Sequence, residues 1–359
     1  MSRRADIAIV GAGMAGASLA AEIGKRASVV LLEAEDQPGY HSTGRSAAFW
    51  SESYGGPLVQ PLTSASGPFL AERGFLSPRG ALHIAEPGGK AALDAMASQF
   101  AGSRVKLERV ADPAARIPGL RPGWGEALWE PSCADINVAG LHGFYLAAAR
   151  RSGARLVTGS RVTQAERRGG AWRIGEDIEA AVLVDAAGAW ADEVARAAGV
   201  APLGIRPFRR TIAQLRVSPP VPADLPLVID AEGRFYCKPE AGGRLWLSPH
   251  DETPCEPCDC AAEEYDVALA LDRLERAVDW RVERVEHSWA GLRSFAPDRL
   301  PVYGFDSEAD GFFWFAGQGG FGIQTAPAAA RLAAQLLMGL PADAMTGSLD
   351  PALYSPARS

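Results

Sequence analysis

Glycines near the amino terminus recur at a spacing that few folds use. Gly11, Gly13 and Gly16 follow an apolar run at residues 7–10 and precede small residues that predict a helix. A second apolar run ends at Glu33. Two short apolar runs that flank a helix predict the βαβ unit of a parallel sheet buried on both faces. The chain is therefore expected to contain a dinucleotide-binding α/β unit.

Each glycine of this fingerprint has its own physical role. Gly11 allows a tight turn, Gly13 lets the backbone approach a pyrophosphate, and Gly16 lets the helix pack closely. The helix N terminus supplies amide donors and a partial positive charge for phosphates. Glu33 is placed to accept hydrogen bonds from a ribose. The alternative is a glycine-rich turn that only packs, but strand, helix, strand and acid together favour a dinucleotide.

Two later segments favour a flavin dinucleotide over a nicotinamide one. Residues 184–190 (VDAAGAW) predict another strand that leads into a glycine turn, and residues 317–322 (GQGGFG) precede a predicted helix. A second helix N terminus would suit the pyrimidine end of a flavin, where negative charge accumulates on reduction. An ordinary helix start is the alternative.

Composition narrows the class of protein. A chain of 359 residues, 47% hydrophobic and 22% charged, is expected to form about two globular domains. A net charge of −7 without a basic stripe argues against a nucleic-acid partner. Five cysteines, an odd number, favour a reducing, cytoplasmic location. No apolar run reaches the roughly 20 residues of a membrane span, so no transmembrane segment is expected.

The order of helix and strand signals interleaves two domains. Asp135 or Asn137 is expected to cap a helix that ends at Arg151. Prolines interrupt the pattern between residues 202 and 226, and the later antiparallel strands are predicted at residues 227–229, 234–238 and 245–248. We expect an α/β protein with a Rossmann-type cofactor domain interleaved with an α+β substrate domain of antiparallel sheet. The cofactor domain is predicted at residues 1–53, 137–204 and 286–359, and the substrate domain at residues 54–136 and 205–285.

Five segments together resemble one family. They are HSTGRSAAFW at residues 41–50, ADIN at 134–137, DAAGAW at 185–190, WAGLRSF at 289–295 and GQGGFGIQ at 317–324. The chain is similar over nearly its whole length to the D-amino acid oxidase family of flavoproteins, most of all to its D-arginine dehydrogenases. The resemblance implies non-covalent FAD and oxidation of a D-amino acid to an imino acid, which water hydrolyses to a 2-keto acid and ammonia. It also implies a fold like that of D-amino acid oxidase and glycine oxidase.

The resemblance also implies which residues contact FAD. The expected cofactor residues are Gly11, Gly13, Met14, Ala15, Gly16, Glu33, Ala34, Ser42, Thr43, Gly44, Arg45, Ser46, Ala47, Ala48, Val162, Ala187, Gly188, Trp190, Arg293, Gly317, Gly319, Gly320, Phe321, Gly322, Ile323 and Gln324. No cysteine lies near WAGLRSF, so covalent attachment of the flavin there is not expected.

Two arginines are expected to bind the substrate carboxylate. Hydride transfer from the α-carbon requires a clamped carboxylate, and a buried arginine holds one bidentately. Arg293 and Arg210 stand where the resembled family places such arginines. The alternative for Arg210 is a solvated side chain, because Arg209 is its neighbour.

Two phenols and a glycine complete the expected substrate site. Tyr54 and Tyr236 resemble the phenols that hold the polar end of the substrate, although a buried core tyrosine is an equal alternative. Gly320 and Gln324 are expected to contact substrate and flavin, with helix capping as the alternative. His83, His142, His250 and His287 are expected to be surface or core residues, since a neutral amine needs no general base.

Two positions depart from the arginine-preferring members. Ala81 stands where those members carry an acid, and Phe49 stands where they carry a histidine. Without that acid, the binding free energy of a cationic substrate would be weaker by about 2 to 4 kcal/mol. A preference for neutral or apolar D-amino acids is therefore expected. His83 shares a strand face with Ala81.

The alternative functions are a glycine- or sarcosine-type secondary amine oxidase, or a flavin-binding scaffold without turnover. The electron acceptor, O₂ or a quinone, stays open.

Three cysteines invite comparison with a metal site. Cys255, Cys258 and Cys260 are closely spaced, but they lack the second ligand pair that zinc sites use. No metal is therefore expected.

Overall fold

The computed structural model describes residues 3–358, which form both helices and strands. The helices are α1 (Met14–Ile23), α2 (Gln60–Glu72), α3 (Lys90–Gln99), α4 (Val138–Arg151), α5 (Ala191–Ala197), α6 (Glu264–Ala277) and α7 (Ala326–Met338). The strands are β1 (Arg3–Val10), β2 (Val29–Leu32), β3 (Phe49–Trp50), β4 (Leu76–Pro78), β5 (Ala81–Ile84), β6 (Glu108–Val110), β7 (Ala127–Glu130), β8 (Ala134–Ile136), β9 (Arg155–Val157), β10 (Ala165–Arg168), β11 (Ala171–Ile174), β12 (Ile178–Asp185), β13 (Arg206–Ser218), β14 (Leu227–Asp230), β15 (Tyr236–Glu240), β16 (Arg244–Ser248), β17 (Thr253–Pro254), β18 (Arg281–Phe295), β19 (Val302–Phe305), β20 (Phe312–Ala316) and β21 (Gln318–Gly319).

The first sheet has eight strands and a parallel centre. Strands β9, β2, β1, β12 and β20 lie side by side in that order, all parallel, and β19, β11 and β10 add antiparallel pairs. Ile7 and Ile9 belong to the core on one face of β1, and Ala8 and Val10 to the core on the other. A strand buried on both faces explains the continuous apolar runs of the sequence. The predicted α/β architecture is confirmed.

The second sheet has ten strands and is mostly antiparallel. Its order is β21, β18, β13, β16, β15, β14, β5, β7 and β6, with β17 beside β13. Strands β14 and β5 are the parallel pair. Strands β13 and β18 pair along their whole length, from Arg206 opposite Phe295 to Ser218 opposite Arg281.

Strand β13 corrects the expectation that prolines interrupt residues 202–226. Its 13 residues occupy positions 206–218 within that segment. Pro207 lies next to the first residue of the strand, and Pro219 follows its last residue. The buried face of β13 includes Arg210, so apolar periodicity does not mark this strand.

Other predicted elements lie close to their observed positions. The side chain of Asn137 accepts a hydrogen bond from the Gly140 main-chain N–H at 2.9 Å, so Asn137 rather than Asp135 caps α4. A third sheet, in the order β3, β8 and β4, pairs Phe49 with Asp135.

The predicted domain boundary at residue 286 falls inside β18, which belongs wholly to the ten-stranded sheet. Within residues 3–358, no helix has the length and apolar character needed to cross a bilayer.

Candidate active site

A cavity of about 450 Å³ extends from the turn after β1 to the ten-stranded sheet. Its walls come from segments far apart in the chain. The segments that line it include residues 10–11, 13–15, 33–35, 39–43, 45–47, 160–163, 186–190, 291–294, 318–320 and 322–323. Arg210, Ile212 and Tyr236 line it from the ten-stranded sheet. The cavity therefore joins the predicted cofactor and substrate residues in one space.

The turn after β1 and the first turn of α1 each require a glycine. Gly11 has φ +96°, and a Cβ there would lie 2.5 Å from the Ala186 main-chain oxygen. A Cβ on Gly16 would lie 1.9 Å from the Gly11 main-chain oxygen. Gly13 caps α1 and faces the Thr43 hydroxyl, which a Cβ would meet at 3.2 Å. Gly11 and Gly13 thus leave a glycine cradle at the N terminus of α1, which suits a pyrophosphate.

The end of β2 supplies the predicted acid beside that turn. Glu33 is buried and its Oε2 accepts the Ala12 main-chain N–H at 2.9 Å. Its Oε1 accepts the Glu35 main-chain N–H at 3.1 Å. Each carboxylate oxygen has a further lone pair with which to accept a ribose hydroxyl. Glu33 lines the cavity, as a dinucleotide site requires.

The loop at residues 41–48 connects α1 to the ten-stranded sheet. The Thr43 hydroxyl accepts the Met14 main-chain N–H at 2.9 Å. The Ser42 hydroxyl donates to the Leu292 main-chain oxygen at 2.7 Å. Arg45 donates to the main-chain oxygen of Ala290, also in β18, at 3.2 Å. These contacts hold the loop along the side of the cavity.

The far end of the cavity holds a buried guanidinium with an unused donor. Arg210 is 4% exposed, and its Nε donates to the Asp251 main-chain oxygen at 2.7 Å. Its Nη2 lies 3.4 Å from Glu252, whereas Nη1 has no partner among the described residues. Burial and the positive charge of Arg293 lower the pKa of Arg210. A buried donor in this position requires an acceptor, and an anion fits best.

A second guanidinium and a phenol meet beside Gly320. Arg293 lines the cavity, and its Nη1 donates to the Tyr54 hydroxyl oxygen. Because that oxygen accepts from arginine, the Tyr54 O–H remains free to donate. A Cβ on Gly320 would lie 2.6 Å from the Tyr54 hydroxyl oxygen and 2.9 Å from Arg293 Nη1. Gly320 therefore leaves the space that these two groups occupy.

Aromatic rings surround this end of the cavity. The Phe49 ring lies 5.2 Å from the Tyr54 ring and 5.7 Å from the Tyr236 ring. Tyr236 is 3% exposed and lines the cavity, so it is both a packed side chain and a site residue. Ala81 is fully buried in the same apolar cluster as Phe49 and Tyr236. The position of Ala81 thus contributes an apolar side chain, rather than a carboxylate, to this cluster.

His250 packs behind the phenols. Its ring lies 5.6 Å from the Tyr236 ring, and its Nδ1 is 2.8 Å from the Gly233 main-chain oxygen. Burial, followed by the charges of Arg210 and Arg293, lowers the pKa of His250 to about 2. The imidazole is therefore neutral. His83 and His142 are buried as well, whereas His287 is exposed.

Most predicted site residues line the cavity, and a few support it from outside. Those outside the lining are Gly16, Gly44, Ala48, Gly317, Phe321, Gln324 and Tyr54. Phe321 packs with Val59 and Phe295. Gln324 is 2% exposed and donates to the Tyr54 main-chain oxygen at 3.1 Å, so it fixes the turn that carries Tyr54.

The structure also adds residues that sequence reasoning did not select. Glu35, Tyr40, His41, Ser160, Arg161 and Ile212 line the cavity. His41 Nε2 lies 2.9 Å from Glu35 Oε1, and the His41 ring lies 4.5 Å from the Trp190 ring. His41 is the first residue of the HSTGR motif, and this motif was the sequence signal that could have identified it as a site residue. Asp251 and Glu252, which hold Arg210, have no motif around them.

Arg209 and Arg210 take opposite sides of β13. Arg209 is also buried, and it pairs with Asp266 at 2.8 Å and with Glu263. Asp266 lies in α6. Neither arginine of the pair is therefore solvated, because alternate strand residues point to opposite faces and both faces are covered.

The cysteines near residue 258 are free thiols. Cys255 Sγ and Cys258 Sγ lie 3.4 Å apart. Within residues 3–358, no group of three or more histidine, cysteine, aspartate or glutamate side chains has the arrangement of a metal site.

The chain matches a protein-family model and curated proteins. The model described as "FAD dependent oxidoreductase" (DAO) matches residues 6–336. The chain is 30% identical over 98% of its length to the tRNA 5-methylaminomethyl-2-thiouridine biosynthesis bifunctional protein MnmC of Maricaulis maris, covering 56% of that protein. It is 32% identical over 48% of its length to glycine oxidase of Pseudomonas aeruginosa, covering 44% of that enzyme. The chain thus spans about half of the length of these curated relatives.

Solved structures share the fold over the whole chain. Glycine oxidase from Geobacillus kaustophilus superposes with a TM-score of 0.85 at 24% identity, covering 100% of both chains. L-Proline dehydrogenase from P. horikoshii superposes with a TM-score of 0.85 at 19% identity, covering 100% of this chain and 98% of that one. At these identities the likeness shows the fold.

Proposed function

Because this chain belongs to the DAO family of FAD-dependent oxidoreductases, we propose that it oxidises the α-amino group of D-amino acids. FAD is the family's cofactor, and the glycine cradle, Glu33 and the N terminus of α1 fit a dinucleotide. Bound non-covalently, FAD would supply a two-electron acceptor for the substrate α-hydrogen. The product is an imino acid, which water hydrolyses to a 2-keto acid and ammonia.

The unused Nη1 of Arg210 is the observation that carries the proposal. Arg210 and Arg293 place two positive charges at one end of the cavity, and the Tyr54 hydroxyl, outside the lining, holds Arg293 by accepting from its Nη1. These groups match the oxygens of a carboxylate in number and charge. Clamping the carboxylate fixes the α-carbon, and a fixed α-carbon is what a near-attack geometry for hydride transfer requires.

The remaining residues shape the environment of the amine. His250 is neutral and its pKa lies far below that of an amine, so it does not take the ammonium proton. The substrate therefore enters as the neutral amine or loses its proton to solvent. Phe49 and Tyr236 limit water around the clamped carboxylate.

The apolar cluster around Ala81 supports a preference for neutral or apolar side chains. Neither Ala81 nor Phe49 offers an acceptor to a cationic side chain. We therefore propose that D-arginine is a poor substrate and that D-leucine, D-methionine and D-phenylalanine are better ones. The D configuration rests on the resemblance of HSTGRSAA and WAGLRSF to the D-amino acid oxidases.

Oxidation of glycine or an N-substituted glycine is the second candidate. The match to a glycine oxidase at 32% identity over half the chain favours it. The same carboxylate clamp would serve either substrate class, so the arginines do not separate the two.

Anaerobic mixing of the FAD-loaded protein with a substrate panel tests the proposal. Bleaching of the flavin absorbance by primary D-amines supports it, and bleaching by glycine or sarcosine alone supports the second candidate. A flavin that no amine reduces contradicts both and indicates a flavin-binding scaffold. The rate of bleaching with D-arginine, compared with D-leucine, tests the side-chain preference. Reoxidation in air, or only by a quinone, then identifies the acceptor.

A division into two domains is part of the proposal. The cofactor cradle lies at the eight-stranded sheet and the arginines at the ten-stranded sheet. We propose the interleaved segments of the sequence prediction as these domains, with β18 shared at the boundary.

A further inference from the structure

A buried carboxylate lies behind the turn that carries Tyr54. Glu130, the last residue of β7, has no exposed surface. Its Oε1 accepts the Glu52 main-chain N–H at 2.7 Å and the Ser53 main-chain N–H at 3.3 Å. One carboxylate oxygen thus holds two successive amides of the turn.

Hydroxyl groups from the same turn complete the shell of this carboxylate. Ser53 Oγ donates to Glu130 Oε2 at 2.6 Å, and Ser51 Oγ lies 3.1 and 3.0 Å from the two oxygens. His83 Nε2 lies 3.2 Å from Oε2. Although burial raises the pKa of Glu130, hydrogen bonds from His83, Ser53 and Ser51 bring it below its ordinary value. Glu130 is therefore ionised and accepts every one of these bonds.

The turn is fixed from its other side as well. Gln324 Oε1 accepts the Ser51 main-chain N–H at 3.2 Å, and Gln324 Nε2 donates to the Tyr54 main-chain oxygen at 3.1 Å. The Tyr54 main-chain N–H donates to the Ser51 main-chain oxygen at 3.3 Å. The turn between Ser51 and Tyr54 is thus held at both ends.

We propose that Glu130 is a positioning residue: its buried carboxylate fixes the turn at residues 51–54 so that the Tyr54 hydroxyl stays against Arg293, the guanidinium that lines the cavity and would bind the substrate carboxylate. The inference rests on the proposed function for the identity of the substrate. Glu130 itself touches neither the cavity nor Arg293, so it acts through Tyr54.

The Glu130→Gln substitution tests this role. The amide NH₂ of glutamine is itself a donor, and it would face the N–H and O–H groups of the turn that now donate to a carboxylate oxygen. The probe is benzoate, a carboxylate without an amine, whose binding to the FAD-loaded protein is followed by the flavin absorbance. We expect the benzoate Kd to rise about tenfold with FAD content retained. Glu126→Gln is the matched control, because Glu126 is half-exposed and pairs with Lys90 and Arg109 on the surface. An unchanged Kd in Glu130→Gln overturns the proposal.

A double-mutant cycle separates positioning from general loosening of the fold. Tyr54→Phe removes the hydroxyl that Glu130 is proposed to place. In that background Glu130→Gln is expected to change the benzoate Kd by less than about twofold, because coupled residues are not additive. If Glu130→Gln raises the benzoate Kd by the same factor with and without the Tyr54 hydroxyl, the two residues act independently and the proposal is overturned.

A milder variant covers the case in which Glu130→Gln fails to fold. Ser53→Ala removes one donor to the carboxylate, and its smaller rise in Kd is expected to vanish in the Tyr54→Phe background. No rise in Kd also overturns the proposal. Benzoate binding that responds as expected, in a protein that oxidises no amine, contradicts the proposed function and leaves the role of Glu130 standing.

Discussion

The main-chain oxygen of Asp251 orients the Arg210 guanidinium, and the Asp251 carboxylate lies farther from it. Arg210 Nε donates to the Asp251 main-chain oxygen at 2.7 Å, whereas the Asp251 carboxylate stays 3.8 Å from Nε. That carboxylate instead accepts the Thr211 main-chain N–H at 2.7 Å and the Thr211 hydroxyl at 3.0 Å. The Glu252 carboxylate lies 3.4 Å from Arg210 Nη2 on the same side of the guanidinium. Arg210 Nη1, which has no partner among the described residues, is left to donate to an incoming anion.

Arg210→Met is expected to lower kcat/KM for the best substrate by about 100- to 1000-fold, because a buried charge–carboxylate contact of about 3 to 4 kcal/mol is lost. Steady-state kinetics of the FAD-loaded variant measure the change. Arg216→Met on the same strand is the control, since Arg216 pairs with Glu286 away from the cavity. A loss smaller than tenfold would contradict a carboxylate-binding role for Arg210.

Gly320→Ala is expected to raise KM without removing FAD. Its Cβ would lie 2.6 Å from the Tyr54 hydroxyl oxygen, so the phenol must move away from Arg293. A rise of about tenfold corresponds to about 1.4 kcal/mol of weakened binding. Gly143→Ala is the control, because nothing lies within 4 Å of a Cβ at that exposed helical position. Equal KM values in the two variants would show that Gly320 has no such role.

Gly16→Ala is expected to reduce the FAD content of the purified protein. The added Cβ would lie 1.9 Å from the Gly11 main-chain oxygen, so α1 must shift relative to the cradle. The ratio of flavin to protein absorbance measures the content, again with Gly143→Ala as control. Stoichiometric FAD in Gly16→Ala would argue against a pyrophosphate site at this turn.

His250 is expected to make the protein less stable as the pH falls below about 6.5. An unfolded histidine binds a proton near that pH, whereas the pKa of His250 in the fold is about 2. Between these values the unfolded state binds the extra proton, so the free energy of unfolding decreases toward acid by up to about 1.4 kcal/mol per pH unit.

His250→Asn removes this contribution, and asparagine tolerates the φ of +55° at this position. Urea unfolding at pH 7.5 and 5.5 measures the difference. The wild type is expected to lose about 1.4 kcal/mol more than His250→Asn over this interval. His287→Asn is the control, since His287 is exposed. Equal losses in wild type and His250→Asn would contradict a neutral buried His250.

Local patterns made the nucleotide-binding unit predictable. The apolar runs of β1 and β2, the three glycines between them and the Asn137 cap of α4 each depend on residues close in sequence. The resemblance of whole motifs then pointed to Arg210, Arg293 and Tyr236, which do line one cavity. Strands β13 and β18 were not predicted, because buried Arg209, Arg210 and Thr211 interrupt the apolar pattern of β13 and the first half of β18 is largely exposed.

The sequence by itself determined the fold class, the family and the position of the glycine cradle, because these depend on local spacing and on recurring motifs. Only the tertiary structure decided that Arg209 pairs with Asp266 of α6 while Arg210 faces the cavity. The same holds for Glu130, which accepts hydrogen bonds from the turn that carries Tyr54. A buried polar side chain is stable only with partners, and those partners come from distant segments of the chain. In the sequence, such a residue looks the same as one that faces water.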